Sequence, residues 1–162
     1  MRARVLSTML FLLSGCSLVR EAPETWLIEH PDVPVADSGD NYVALSGGEC
    51  AHSCPVYQIF VFESGRVVFV GKQNTKRLGV VERQTMPGVY YDLQKLLVVR
   101  RAFSREFHLG CFANRQGFSV GAVQATRVRT GYLNYGCFNQ RDDLDAIVGA
   151  FVRVADAQEL IR

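Results

Sequence analysis

The sequence predicts an α+β domain, an antiparallel sheet of about five to six strands with two helices packed on one face. Three observations carry that prediction. β-Branched and aromatic runs come in pairs around short polar turns, as hairpins do. Two longer segments repeat apolar residues at helical spacing. Each helical segment follows a set of hairpins instead of alternating singly with strands, which argues against a parallel sheet.

The elements follow in chain order. A first strand is expected near Tyr42 to Ser46. Val56 to Phe62 and Val67 to Val70 are strand-forming runs separated by Glu63-Ser64-Gly65-Arg66, and Gly65 supplies the positive φ that a tight turn or bulge needs. Thr75 to Gln84 carries Leu78, Val80 and Val81 and predicts a fourth strand, interrupted by Gly79. A helix is expected from Pro87 to Phe103, with Thr85 as its cap and Val89, Leu93, Leu96, Leu97 and Phe103 as its apolar face. Phe118 to Gln124 and Val128 to Tyr135 predict a second hairpin turning near Thr126. A last helix spans Arg141 to Asp156, capped by Asn139, with Asp142 and Asp143 favouring its N-terminus and Leu144, Ile147, Val148, Phe151 and Val152 facing the core.

Length and charge bound the function. The 162 residues, 48% of them hydrophobic, suffice for one domain with its own core. The formal net charge of +2 is too small to suggest a nucleic-acid binder. No run of 18 apolar residues is present to span a bilayer.

The N-terminus sets the expected compartment. Arg2 and Arg4 precede an apolar run from Val5 to Leu13, and Leu13-Ser14-Gly15-Cys16 follows. This is the layout of a bacterial secretion signal over residues 1–15. Its last four residues resemble the lipobox of bacterial lipoproteins. That resemblance implies acyl chains such as palmitate on Cys16, and two or three such chains hold a protein on a membrane almost permanently. Ser17, in place of an aspartate after the cysteine, points to the outer membrane, facing the periplasm, if the host is Gram-negative. The expectation is a lipid-anchored protein of the bacterial cell envelope.

Residues 16–40 then read as the lipidated cysteine and an extended acidic tether, with Pro23, Pro31, Pro34 and Gly39 among acids. Trp26, Leu27 and Ile28 interrupt it and suit a short docked strand. Residues 41–162 are left as a single disulfide-braced α+β domain. Charge is uneven along the chain. Residues 21–49 hold Glu21, Glu24, Glu29, Asp32, Asp37, Asp40 and Glu49 with no Lys or Arg, whereas residues 66–105 carry nine Lys and Arg against Glu82 and Asp92. A basic face for an anionic envelope polymer is one reading, and a solvated surface neutralised by the tether is the other.

With Cys16 assigned to lipid, Cys50, Cys54, Cys111 and Cys137 remain, an even number that suits two disulfides in an oxidising compartment. Reflected about a turn near Thr126, Cys111 faces the region just past Cys137, so a bridge between them is geometrically reasonable. Cys50 and Cys54 would then close a short loop. Loop entropy assigns roughly 3.5 kcal/mol to the longer bridge and about 2 kcal/mol to the shorter. The crossed pairings stay open on sequence alone.

Cys50-x3-Cys54-Pro55-x-Tyr57 feeds a strand and is followed by Gly65-Arg66-Val67-Val68-Phe69-Val70-Gly71. This pattern resembles the bacterial domain-of-unknown-function family 6438, found in exported proteins and lipoproteins. The likeness extends over residues 41–156, and its specific part is residues 50–71. The family pattern carries an acid after the first helix, where this chain has His108, Gly110 and Cys111. The family brings no activity with it.

Physically, Pro55 forces Cys54 toward extended geometry and suits a strand start, and Tyr57 shares one face with Ile59 and Val61. The motif therefore reads first as a staple ahead of the central hairpin. A redox pair is a second reading, although thiol oxidoreductases use Cys-x2-Cys at a helix start. A metal site of Cys50, His52 and Cys54 with Glu49 is a third, opposed by thiol oxidation in the envelope. No catalytic constellation is found, and no cofactor or resident metal is expected. Asp142, Asp143 and Asp145 read as a helix N-terminus, and Tyr132, Tyr135 and Phe138 as either core or a binding patch.

The sequence thus points to a non-enzymatic binding module for another envelope component, a protein or an anionic polymer, held on the membrane through Cys16. An inhibitor of an exported hydrolase, a redox or metal protein acting at Cys50-His52-Cys54, and a structural brace in an envelope assembly are the alternatives.

Overall fold

The computed structural model describes residues 40–48, 50, 53–104, 115–125 and 127–161. Six strands form one antiparallel sheet: β1 Tyr42–Gly47, β2 Val56–Phe62, β3 Arg66–Gln73, β4 Gly79–Gln84, β5 Gly117–Gln124 and β6 Arg127–Asn134. Their spatial order is β4-β3-β2-β1-β5-β6. Helix α1 spans Gly88–Val99, α2 Arg141–Val154 and the short α3 Gln158–Ile161, with 3-10 turns at Ala102–Ser104 and Phe138–Gln140. The α+β class, the open sheet and the two principal helices are those the sequence predicts.

Period-two alternation sorts the strands into two faces. Val43, Leu45, Tyr57, Ile59, Val61, Val67, Phe69, Phe118, Val120, Ala122 and Leu133 join Tyr90, Leu93 and Leu97 of α1 and Leu144, Ile147 and Phe151 of α2 in the main core. Burying each large apolar side chain in such a core contributes about 1.5–3 kcal/mol. Ala44, Phe60, Phe62, Val68 and Val70 form a second cluster on the opposite face, with no helix in it among the described residues.

Several boundaries differ from the sequence reading, each for a physical reason. The fourth strand begins at Gly79 and not Thr75, because Asn74 takes a left-handed φ of 54° and the chain bends before re-entering the sheet. Thr85 does not cap α1. The helix starts after Pro87 with no side-chain cap, while the Thr85 amide and hydroxyl both donate to the Gly65 carbonyl, at 2.8 and 3.2 Å. Helix α1 ends at Val99, short of Phe103, because Arg101 turns left-handed at φ 51° and a 3-10 turn follows. Asn139 does not cap α2 either. Gln140 stands at that position, and its side-chain oxygen instead accepts the Asn134 amide at 3.2 Å. Asp156, at φ 46°, lies past the end of α2.

The second hairpin turns as expected, Gln124 pairing with Arg127 across a two-residue loop. The tether strand at Trp26–Ile28, the signal segment and Cys16 lie outside the described residues. No described helix is long and apolar enough to cross a membrane.

Candidate functional site

The antiparallel register brings one end of five strands together. Tyr57 lies opposite both Gly47 and Gly71, Gly47 lies opposite Phe118, and Gly117 lies opposite Asn134. The motif segment at the start of β2, the bend after β3, the residue before β5 and the residue after β6 therefore meet at a single edge.

Cys50 and Cys54 form a disulfide at that edge. Cys137 is disulfide-bonded as well, so pairings of Cys50 or Cys54 with it are excluded. Cys111, its expected partner, and Glu49 and His52 lie outside the described residues. Cys54 and Pro55 are held by their carbonyls: the Asn74 side-chain amide donates to the first at 3.2 Å and the Gln116 amide to the second at 2.7 Å. Gln116 also donates to the Gly48 carbonyl at 3.2 Å, tying the end of β1 to the same spot.

Behind the motif, Tyr57 stacks on Phe69 with ring centroids 5.9 Å apart and meets Phe118 edge-on at 6.5 Å. Gly71 lies opposite Tyr57, and a Cβ there would stand 1.9 Å from the Arg77 carbonyl oxygen, so only glycine lets the bend fold back on β3. Gly65 works at the far end of the same hairpin, with φ +85° as the sequence requires.

These parts form one wall of a cleft of about 550 Å³. Ser53, Pro55, Asn74 and Gln116 stand on that side, and Asp145, Val148, Gly149 and Val152 of α2 on the other. The four helix residues are spaced i, i+3, i+4, i+7, a stripe beside the core-facing one. Tyr57, Phe118, Tyr135 and Ile161 also line it, with Gln158 from α3. The Arg77 amide donates to the Leu160 carbonyl at 3.2 Å and fixes α3 against the β3–β4 connection.

The electrostatics are simple. The Tyr135 hydroxyl donates to Asp145 at 2.7 Å. Burial first, and that bond second, hold the Tyr135 phenol well above the usual tyrosine range. Among the described lining residues Asp145 is the one carboxylate, and none is a lysine or arginine. The site thus offers an apolar floor, amide and hydroxyl groups at the rim, and the negative charge of Asp145. That suits an apolar or amphipathic group carrying amide or cationic functions. No described cluster of three or more His, Cys, Asp and Glu side chains has metal-binding geometry.

Sequence reasoning located the motif half of this site and missed the other half. Asp145 reads as a helix-end acid in the sequence and in the fold is bonded to Tyr135, ten residues before it. Asp142 and Asp143 do occupy the first turn of α2, and Asp143 pairs with Arg100 at 3.0 Å. Tyr135 lines the cleft and Tyr132 lies away from it, its hydroxyl accepting the Asn134 amide at 3.2 Å. The one local signal for the helix wall is Gly149, a poor helix former mid-helix.

Residues 41–106 of the chain match the family described as Domain of unknown function (DUF6438). The match takes in β1 to β4, α1 and the Cys50–Gly71 pattern, and stops before the 41–156 span that the resemblance suggested. No curated protein was found to match the chain.

Proposed function

We propose that this DUF6438-bearing chain is an exported protein, anchored by lipid on Cys16 to a bacterial envelope membrane, whose cleft binds a segment of another envelope protein. The cleft carries this reading. Its apolar floor, amide rim and the Asp145 carboxylate are suited to a peptide with an apolar anchor and a neighbouring cation, since the rim amides can meet peptide groups. That chemistry favours a protein partner over an anionic polymer, which Asp145 would repel. The Leu13-Ser14-Gly15-Cys16 pattern supports the anchor, and a tether of about two dozen residues gives the domain reach from the membrane.

Gly149 supports the binding role independently. Among the described residues a Cβ at this position would meet the flexible end of Arg153, at 3.2 Å, and no backbone beyond its own helix, so described packing does not require a glycine here. A glycine here leaves the cleft wall open at Gly149, at a cost to helix stability.

Two measurements in the native host test the reading together. Labelled palmitate should enter the chain and sediment with membranes, and Cys16→Ser should abolish both. A label-free, soluble full chain would contradict the anchor. A second reading makes the chain an inhibitor of an exported hydrolase, favoured by the closed Cys50–Cys54 loop with Ser53 exposed inside it. Inhibition that disappears in a Cys50→Ser, Cys54→Ser double variant would support it, and unchanged inhibition would count against that loop. A metal site at Cys50, His52 and Cys54 requires thiolates, which a closed bridge does not supply, whereas a redox role requires a bridge that a mild reductant opens. Rapid alkylation of both cysteines under mild reductant would reopen it.

A further inference from the structure

The strand register gives the sheet two ends. The cleft lies at the end where Gly47, Tyr57, Gly71 and Gly117 stand. The other end holds Asn41, the turn at residues 63–65 and the turn between Gln124 and Arg127. Asn41 ties these together. Its carbonyl accepts the Glu63 amide at 2.9 Å, its side-chain oxygen accepts the Ala125 amide at 2.7 Å, and its side-chain amide donates to Glu63 at 2.6 Å. The chain running back to Cys16 therefore joins the domain at the end away from the cleft. Helix α1 starts at this same end, where the Tyr91 hydroxyl donates to Glu63. Met86, just before the helix, is 76% exposed, and Tyr91, Val98 and Val99 are 52, 50 and 67% exposed. Tyr91 and Val98 share one side of the helix, opposite Arg100, which reaches Asp143 of α2 at 3.0 Å. Together the four form an apolar band about 20 Å long. Exposed Lys95 and Arg101 border it on the helix and exposed Arg127 on the adjoining turn, with Asp92 the acid among them.

We propose that this band of α1 lies in the headgroup interface of the membrane that holds the acyl chains, so that the cleft opens away from the bilayer. The inference rests on the lipid anchor at Cys16. Exposed apolar groups gathered in one row mark a surface that meets an apolar phase. The chain to the anchor leaves from the same end, which makes the bilayer the apolar phase nearest the band. Its composition fits that phase. Tyr91 suits the boundary between headgroups and acyl chains, and the stems of Lys95, Arg101 and Arg127 carry their charges to the phosphates while the valines go deeper. Anchoring also makes the contact intramolecular, at an effective concentration on the order of millimolar. A band too small to hold a free domain on a membrane is then enough to orient a tethered one.

The full lipidated chain in vesicles of phosphatidylethanolamine and phosphatidylglycerol tests the orientation. A carbene reagent that partitions into the bilayer is activated, and label is compared among tryptic peptides. Peptide 78–83 is the control, because it carries Leu78 and Val80, 62 and 41% exposed, on edge strand β4 and its approach from the cleft end. Peptides 84–95 and 96–100 should take up severalfold more label than 78–83. In the double variant Val98→Asp, Val99→Asp the label in 84–95 should fall to that of 78–83, while the chain still sediments with the vesicles. Equal label in all three peptides of a sedimenting chain would overturn the proposal and leave the anchor standing. So would label in 84–95 that is indifferent to the double variant. A chain that stays in the supernatant would overturn the anchor and the orientation together. Crosslinks from residues 84–100 to a second copy, without label from the bilayer, would assign the band to self-association instead.

Discussion

Gly65 and Gly79 share a φ of +85° and differ in what surrounds them. At Gly65 an added Cβ would come within 2.4 Å of the Thr85 carbonyl, whereas at Gly79 it would meet nothing within 4 Å. Left-handed backbone alone costs an alanine about 1–2 kcal/mol. Overlap adds roughly 1–3 kcal/mol more where neighbours cannot move. Gly65→Ala is therefore expected to lose clearly more stability than Gly79→Ala, read as the difference in urea midpoint at unchanged slope. The positive φ at Gly65 was legible from a turn between two strand runs. The Thr85 contact was not, because it joins residues twenty positions apart.

Tyr135 makes a prediction in pH. Burial and the Asp145 bond keep its proton on in the fold, where the unfolded chain would release it near pH 10. The native state therefore holds more protons above that value, and the stabilisation is complete below about pH 10 and lost as pH rises beyond it. Tyr135→Phe should flatten the alkaline fall in stability and leave its neutral-pH shape unchanged. An alkaline limb identical in Tyr135→Phe would contradict the assignment. Glu63 acts with the opposite sign. Hydrogen bonds from Tyr91 and Asn41 hold its carboxyl below the usual range, so its contribution is complete at neutral pH and lost on acidification.

Among elements, the strands were the most readable, since alternation and β-branched content coincide with the pleat. The helix bodies were readable too, by the spacing of Leu93 and Leu97 and of Leu144, Ile147 and Phe151. Their ends were not. Thr85 and Asn139 are cap-forming residues in the right places, but the Gly65 carbonyl and a 3-10 turn compete for those positions. The Cys50–Cys54 loop is short, so its loss removes only about 2 kcal/mol by loop entropy. The double serine variant should keep the fold and unfold at lower urea, and a loss of secondary structure in buffer alone would show a larger role. In α2 the expectation runs the other way. Gly149→Ala should raise stability by about 0.5–1 kcal/mol, because glycine mid-helix is costly and the added methyl has only the end of Arg153 to displace. A destabilised Gly149→Ala would mean that the helix wall is tighter than its contacts indicate.

At the scale of the molecule, the same sheet separates two tasks. One end gathers the disulfide, the Asn74 bend, Gln116 and Tyr135 into the cleft, and the opposite end carries the Gly65 turn, Glu63 and Tyr91. The motif half of the cleft was visible in the sequence because its residues are consecutive. The α2 half was not, because only the fold brings Asp145 to Tyr135 and Gly149 opposite Pro55's wall. The family match has the same limit: it ends at residue 106, before every residue of β5, β6 and α2 that completes the site.

The cleft as a protein-binding site is the claim on which the functional account turns. A photo-reactive amino acid placed at exposed Ser53, on the cleft, can be compared in intact cells with one at exposed Tyr91, at the opposite end of the sheet. The account predicts one discrete protein adduct from Ser53 and none from Tyr91, with the Ser53 adduct lost when Gly149→Leu fills the groove. An adduct from Tyr91 alone, or a Ser53 adduct indifferent to Gly149→Leu, would contradict it.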